Sequence, residues 1–317
     1  VLSMSQSKIH YFPDVTHHVW DNTLEPALAI QSGDIVVYQF KDVGDGQIYP
    51  GVGVEALENF DFKRLYPLSG PVYIEGAEPG DVLEVEVLDL HTKGWGWSAV
   101  IPGKGLLKDD FNEHYLRIFD LSDGKTIKFS EHIDVPVNPF LGTMGVAPAE
   151  AGQHPVVPPG KHGGNMDTRY LTKGARLFLP VQVKGALFSA GDGHAAQGDG
   201  EVCITAVEAP LDGALKFTVH KNRSLPGPQY VTPPGSLSSS AHDQGFYCTT
   251  GIGPDLKVCA QEAVRAMIDH LQTKHGLNRY DAYILCSIAV DLKINEIVDE
   301  PHYIVSANLP LSIFKRE

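Results

Sequence analysis

Short runs in which apolar and polar residues alternate recur along the first two thirds of the chain. They cover residues 34–40, 72–75, 82–90, 176–183 and 216–220. Because successive side chains of a strand point to opposite faces, a period of two predicts half-buried β-strands. The 32 glycines and 22 prolines that punctuate the chain predict tight turns between the strands. The pattern therefore predicts a mainly β protein, with a sandwich-like or barrel-like body over residues 1–225 that carries the functional site.

One segment near the C-terminus has the period of an α-helix. Apolar residues recur at the 3.6-residue spacing at Leu256, Cys259, Ala263, Val264, Met267, Ile268 and Leu271. Gly276 follows as a C-terminal cap, so we expect a helix over about 255–275. The apolar runs 281–290 and 302–307 are predicted to be strands that carry this helix. Residues 226–317 are thus expected to form an α+β part, with 227–253 as a boundary or a mobile loop over the site.

Residues 191–201 contain almost no side chain that could build a core. Glycine and alanine surround Asp192, His194, Gln197, Asp199 and Glu201. Strand-like runs at 176–183 and 201–207 flank them, so a loop between two strands is predicted. Loops held by a rigid sheet commonly carry functional residues, and 163–169 upstream is also polar.

These residue types are those of a metal site. One imidazole and two carboxylates that leave a position open suit a metal that activates water, which points to Asp167, His194 and Glu201. Asp192 and Asp199 are expected to cap turns or to support the ligands. A set of tight turns alone remains the alternative, although it leaves His194 unexplained. The spacing excludes an EF-hand loop but not calcium itself.

The net charge and the cysteine content limit the kinds of binding partner and of cellular compartment that can be expected. A net charge of −14 argues against nucleic acid or an anionic membrane as a partner. The four cysteines form no C-x-x-C pair, so free thiols in a reducing compartment are expected. We find no apolar run of about 18 residues and no leader pattern, and we therefore expect a cytoplasmic protein.

Several phrases of the chain resemble the acetamidase/formamidase family, and they occur in family order across most of the sequence. They are residues 70–81, 94–97, 142–150, 163–169 and 185–201. The resemblance implies a largely sandwich-like β fold with an α+β C-terminal part. It also implies hydrolysis of short linear amides such as formamide and acetamide, or of a lactam, with a bound divalent metal, often zinc, in a homo-oligomer, which we take as a homodimer. One departure is residues 64–68, where relatives often have a histidine before the Gly-Pro turn.

The resemblance and the residue types together suggest further roles. Glu150 is the predicted proton-transfer carboxylate, with Glu75 as second choice. Asn165 and Gln197 carry neutral amide groups suited to orienting a neutral amide substrate or a water. Two other classes remain as alternatives. The first is a non-catalytic β-sandwich that binds a ligand through the metal, and the second is a metal-dependent oxygenase or isomerase, which is disfavoured because only one histidine lies in the motif.

Overall fold

The structure is a computed structural model that describes residues 6–236 and 244–315. These residues form twenty strands and three α-helices. The strands are β1 Ile9–Tyr11, β2 Thr16–His17, β3 Leu28–Ile30, β4 Ile35–Phe40, β5 Leu68–Ile74, β6 Val82–Thr92, β7 Trp95–Val100, β8 Tyr115–Asp120, β9 Thr126–Lys128, β10 Asp134–Pro136, β11 Phe140–Val146, β12 Gly163–Asn165, β13 Arg176–Pro180, β14 Phe188–Ala196, β15 Val207–Glu208, β16 Leu211–His220, β17 Gln229–Val231, β18 Phe246–Gly253, β19 Asp291–Glu296 and β20 Tyr303–Pro310. The helices are α1 Glu55–Glu58, α2 Leu256–His275 and α3 Arg279–Ala289.

Two large sheets form the body. One has six strands in the order β1-β4-β16-β6-β13-β17, and the other has nine and is built around β14, which pairs with β11, β15 and β5. Buried residues of both sheets share one hydrophobic core, in which Phe188 meets Phe217 edge-on at 4.9 Å between ring centroids. The prediction of a mainly β protein is confirmed, and within the described residues no sheet closes into a barrel.

Helix α2 confirms the helical prediction at both ends. The Asp255 side chain caps its N-terminus by accepting from the Val258 N–H, and Gly276 ends it with a left-handed φ of 67°. The helix packs on a three-stranded sheet of order β18-β20-β19. Buried residues of α2, such as Met267, belong to the same hydrophobic cluster as the two large sheets. The boundary predicted near residue 225 stays a prediction.

The prediction of a strand over residues 281–290 is wrong. This segment forms α3, which begins after Asn278, whose side chain accepts from the Asp281 N–H. Its residues from Ala282 to Ile288 are all buried, so the helix has no polar face. A short helix that is apolar all round leaves no periodicity, and such a run cannot be told from a buried strand by its pattern. The strand predicted at 302–307 is confirmed as part of β20.

The loop predicted over residues 191–201 is also largely wrong, because residues up to Ala196 form the buried strand β14. The glycines there allow close packing: a Cβ on Gly193 would lie 2.4 Å from the Ala209 carbonyl oxygen. Residues 201–207 are not the predicted strand before β15. They form turns in which the Ile204 N–H donates to the Glu201 carbonyl, and the Cys203 N–H donates to the Ser287 hydroxyl of α3.

The structure describes most of the segment 227–253, the state of the four cysteines and the hydropathy of the helices. Residues 229–231 and 246–253 are strands, while the part of the predicted loop over 237–243 lies outside the described residues. All four cysteines are free; Cys248 is exposed and the other three are buried. No helix in the described part of the chain is long and apolar enough to cross a membrane.

Candidate active site

Strand β14 and its neighbour β15 position three buried ionisable side chains. Asp192 and His194 lie on β14, and Glu208 on β15 is the direct cross-strand partner of His194. All three are at most 3% exposed. Asp167 and Glu201 meet them from adjoining turns, each with a left-handed backbone φ, 44° and 43°. We call these five residues the acidic cluster.

The imidazole of His194 is held in one tautomer. The Gln197 amide donates to the Asp167 carbonyl at 2.8 Å, so its oxygen faces His194 and accepts from the Nδ1 proton at 3.0 Å. Nε2 is therefore the free nitrogen of the neutral ring. It lies 3.1 Å from Asp192 Oδ1 and 3.1 Å from Glu208 Oε2. A lone pair that faces two carboxylates requires a proton or a metal ion between them.

The floor of the acidic cluster is Gly142 on β11. A Cβ at this position would lie 2.5 Å from Asp192 Oδ2, 2.6 Å from Asp167 Oδ1 and 3.0 Å from His194 Cε1. The Gly142 carbonyl accepts the Asp167 N–H at 3.1 Å, which fixes the turn above it. Glycine is therefore needed here because the carboxyl groups occupy the space of a side chain.

Asp167 and Glu201 differ from the other three because they are partly exposed. Both belong to a group whose ligand atoms lie within 4.8 Å of one another, so their charges repel when both carboxyl groups are ionised. Helix α3 fixes the Glu201 turn, since the Gly198 N–H donates to the Ser287 carbonyl at 2.8 Å. A Cβ on Gly198 would lie 2.0 Å from the Val290 oxygen, so this contact also requires glycine. This pair is the face of the acidic cluster that solvent can reach.

Burial and mutual repulsion set the protonation of the acidic cluster. Burial, with the nearby Asp192 charge, raises the pKa of Asp167 to about 6. Burial raises the pKa of Glu208 to about 8, and burial with the Asp167 charge raises the pKa of Glu201 well above its usual value. Burial alone would raise the pKa of Asp192, but the positive charge of His194 and its hydrogen bond to Asp192 outweigh burial, so the pKa of Asp192 is lowered. Burial opposes protonation of His194, yet Glu208 and Asp192 raise its pKa well above the usual value.

The acidic cluster fits a divalent metal ion. Asp167, His194 and Glu201 could hold one, and so could Asp192, His194 and Glu208, since each set brings its ligand atoms within 4.8 Å of one another. Buried Asp167 Oδ1 has no hydrogen-bond partner among the described residues, and Glu208 Oε2 meets the His194 ring at 3.1 Å. Ligands at about 2.0–2.1 Å in tetrahedral geometry lie roughly 3.3 Å apart, close to the 3.1 Å spacings around His194 Nε2. Imidazole and carboxylate donors suit zinc.

The two predicted amide side chains are both bonded within the protein. Asn165 Oδ1 accepts from the Thr143 hydroxyl at 3.0 Å, and its Nδ2 donates to the Val157 carbonyl at 3.1 Å. The Gln197 side chain is only 6% exposed and bridges His194 and the Asp167 backbone. Gln197 also borders a cavity of about 380 Å³ that Arg169, Tyr170 and Asp291 line together with Pro234 to Ser236.

The structure does not bring Glu75 or Glu150 to the acidic cluster. Val72 of β5 and Val146 of β11 both lie opposite Phe188, and Glu75 and Glu150 follow beyond these positions. His194 is at the other end of β14, about 20 Å from Phe188 at the rise of an extended strand. Both glutamates are exposed. Asp199 is also outside the acidic cluster and pairs with Arg169 at 3.2 Å.

The sequence interpretation gave Asp192 only a capping or supporting role and did not include Glu208. A strand over residues 188–196 would have placed Asp192 and His194 on one face, because residues two apart in a strand point the same way. Reading the glycines as a loop hid this signal. Glu208 had no local signal, since only the pairing of β14 with β15 brings it opposite His194.

A mainly β sandwich that gathers four carboxyl groups and an imidazole beside a small cavity has the acid–base groups of a hydrolase. A model of the acetamidase/formamidase family matches residues 5–154 and 149–316. A putative formamidase of Schizosaccharomyces pombe is 28% identical over 94% of this chain and 90% of its own length. The chain belongs to the acetamidase/formamidase family.

Solved structures agree over nearly the whole chain. A gamma lactamase from Delftia acidovorans superposes with a TM-score of 0.89 at 25% identity, covering 97% of this chain and 94% of its own. An acetamidase from Bacillus halodurans is 33% identical with a TM-score of 0.67, covering 96% and 97%. The fold and the activity class implied by the sequence are therefore confirmed.

Proposed function

We propose that this protein hydrolyses the C–N bond of short amides with a water molecule that a divalent metal ion activates in the acidic cluster. One observation supports the proposal of a metal ion. Four carboxyl groups and one imidazole meet in the interior, and no lysine or arginine pairs with them in the described part of the chain. Burying that much negative charge without a cation is costly. The family, with its formamidase, acetamidase and gamma-lactamase members, supports the amide chemistry.

The proposed ligands are Asp192, His194 and Glu208, because His194 presents its free Nε2 to both carboxylates at 3.1 Å. When bound, the ion, proposed as zinc, lowers the pKa of a water and polarises the amide carbonyl. Gln197 holds the His194 ring in the tautomer that this ligation needs. The second candidate ligand set is the one predicted from the sequence, Asp167, His194 and Glu201. The lack of a hydrogen-bond partner for Asp167 Oδ1 favours it.

Asp167 and Glu201 are proposed to move protons. In amide hydrolysis the water oxygen bonds to the carbonyl carbon, the C–N bond breaks, and the nitrogen leaves as ammonia or an amine after taking a proton. Two neighbouring carboxyl groups with raised pKa values can accept the proton of the water and deliver it to that nitrogen. This role replaces the one predicted for Glu150 and Glu75, which lie at the far end of the strands.

Asn165 and Gln197 are proposed to position other groups rather than to bind substrate directly. Their amide groups are occupied by protein partners on both the oxygen and the nitrogen side. The proposed substrates are formamide and acetamide, or a small lactam, which are the substrate types that the names of the relatives carry. A homodimer in the cytoplasm, as predicted from the sequence, is part of the proposal; mass measurement in solution tests the assembly.

Four matched substitutions test the assignment of roles. Asp192→Asn and Glu208→Gln are expected to lower the metal content of the purified protein and to abolish ammonia release. Asp167→Asn and Glu201→Gln are expected to keep the metal but to slow turnover by roughly 10²-fold or more. Asp42→Asn is the control, since Asp42 is also a buried carboxylate but caps a turn and bonds to Trp97.

The outcome separates the candidate assignments. Loss of metal from the Asp167 and Glu201 variants alone would support the ligand set predicted from the sequence. Full metal content in all four variants would refute a metal site in the acidic cluster. A wild-type protein that binds metal but neither releases ammonia from formamide or acetamide nor opens a lactam to its amino acid would be the non-catalytic binding protein instead.

A further inference from the structure

Tyr66, in the segment that precedes β5, brings its phenol oxygen to 3.5 Å from Asn165 Nδ2, two residues before Asp167 of the acidic cluster. Its backbone has φ 55°, a left-handed conformation that a bulky aromatic residue rarely adopts. The Tyr66 N–H donates to the Val43 carbonyl at 2.9 Å, which holds the chain in this conformation. Strained backbone of this kind persists where the surrounding structure holds it, and it clusters at active sites.

A chain of hydrogen bonds fixes which way the phenol proton can point. The Thr143 hydroxyl donates to Asn165 Oδ1, so Asn165 Nδ2 is on the opposite side and approaches the Tyr66 oxygen at 3.5 Å. The phenol oxygen thus accepts from Asn165. No acceptor for its own proton is found among the residues that the structure describes. The phenol O–H is therefore available to a bound molecule.

The surroundings keep this donor protonated. Burial raises the pKa of the Tyr66 phenol, and the negative charges of Asp192 and Asp167, with smaller effects of Glu208 and Glu201, raise it further. The Thr143 hydroxyl that bonds to Asn165 also lies 3.5 Å from Asp192 Oδ2, so this chain of contacts joins the phenol to the acidic cluster. Tyr66 is partly exposed, as are Asp167 and Glu201.

We propose that the Tyr66 phenol donates a hydrogen bond to the carbonyl oxygen of the amide and stabilises the negative charge that this oxygen gains when water adds to the carbon. The inference rests on the proposed function and adds a catalytic residue to it. No proton leaves Tyr66 in this step: the C=O π electrons move to oxygen as the O–C bond to water forms, and they return when the C–N bond breaks. Thr143 and Asn165 act as positioning residues for the phenol.

The test is Tyr66→Phe, which keeps the ring and removes only the donor. Loss of one such donor to an oxyanion typically costs 10²–10³ in turnover, so kcat for formamide or acetamide should fall roughly 10²-fold with little change in KM. Metal content and melting temperature should match the wild type, because the phenol touches no proposed ligand through a hydrogen bond. Tyr38→Phe is the control. Tyr38 lies on β4 of the six-stranded sheet, and its buried phenol oxygen has no hydrogen-bond partner among the described residues. It should retain wild-type kcat.

A second substrate separates the oxyanion role from protonation of the leaving group. With 2,2,2-trifluoroethyl acetate, whose alkoxide leaves without strong acid assistance, the defect of Tyr66→Phe should persist. If the defect vanishes with this ester, the phenol serves the leaving group and the oxyanion role is wrong. If Tyr66→Phe turns over amides at the wild-type rate, Tyr66 has no catalytic role although the proposed function stands. A wild-type enzyme without amide hydrolysis would overturn both.

Discussion

The floor of the acidic cluster offers the sharpest structural test, through the substitution Gly142→Ala. Gly142 has no left-handed φ, so alanine can adopt its backbone conformation. The new methyl group would lie 2.5 Å from Asp192 Oδ2 and 2.6 Å from Asp167 Oδ1, whereas ordinary contact begins at 3.4 Å. Each carboxyl oxygen must therefore retreat by about 0.8–0.9 Å, several times the roughly 0.2 Å tolerance of a metal–ligand distance.

Such a displacement has a predictable cost. A misplacement of about 1 Å commonly reduces activity about 10²-fold, so kcat/KM for acetamide should fall by at least that factor, or about 2.7 kcal/mol. Crowding should also cost about 1–3 kcal/mol of stability. Metal content by elemental analysis, melting temperature and ammonia release under initial-rate conditions measure the three effects.

Gly213→Ala is the matched control for crowding in a strand. Its Cβ would lie 2.4 Å from the Asp89 oxygen and 2.6 Å from a Leu90 methyl carbon, in the other large sheet. It should lower the melting temperature while metal content and kcat/KM per folded molecule stay at the wild-type level. If Gly142→Ala kept both its metal and a kcat/KM within twofold of wild type, the proposed position of the site above Gly142 would be refuted.

Two further predictions concern pH and the support of His194. In the folded protein the pKa of Glu208 is raised to about 8 and that of Asp167 to about 6. Above about pH 4, near the pKa values of these groups in the unfolded chain, the folded state therefore holds more protons than the unfolded state. The free energy of unfolding of the metal-free protein should then fall as pH rises from about 5 to 8. Metal should remove this fall, so the metal-induced rise in melting temperature should be larger at pH 8 than at pH 5.5, and equal rises would contradict it. Gln197→Leu should weaken metal affinity 10–100-fold by releasing His194 Nδ1, whereas unchanged affinity would show that Gln197 does not orient the ring.

The sequence predicted the elements whose pattern is local. Helix α2 carries its own periodicity and caps, and strands such as β6 and β16 alternate because one face is buried and the other is not. Helix α3 could not be recognised in this way, because the surrounding core removes its polar face. Strand β14 was hidden for a related reason: its glycines and alanines are there because neighbouring chains approach closely, which a sequence cannot distinguish from a flexible loop.

The candidate site was predictable in part. Asp167, His194 and Glu201 were recognised by residue type, and the structure brings them together. Glu208 enters only through the pairing of two strands, which no local pattern encodes. Glu75 lies within a phrase shared with the family and Glu150 ends another, but their place beyond the far ends of β5 and β11 depends on strand register. In the sequence, Tyr66 is only part of the segment 64–68 that departs from relatives, and the direction of its side chain depends on a left-handed backbone that the sequence does not reveal.

The most direct measurement is ammonia release from formamide and acetamide by the purified protein before chelation, after chelation, and after readdition of one divalent metal at a time. The account predicts amide hydrolysis that disappears with the metal and returns with zinc, in step with metal content. Hydrolysis at an undiminished rate by protein shown to be free of metal would contradict it.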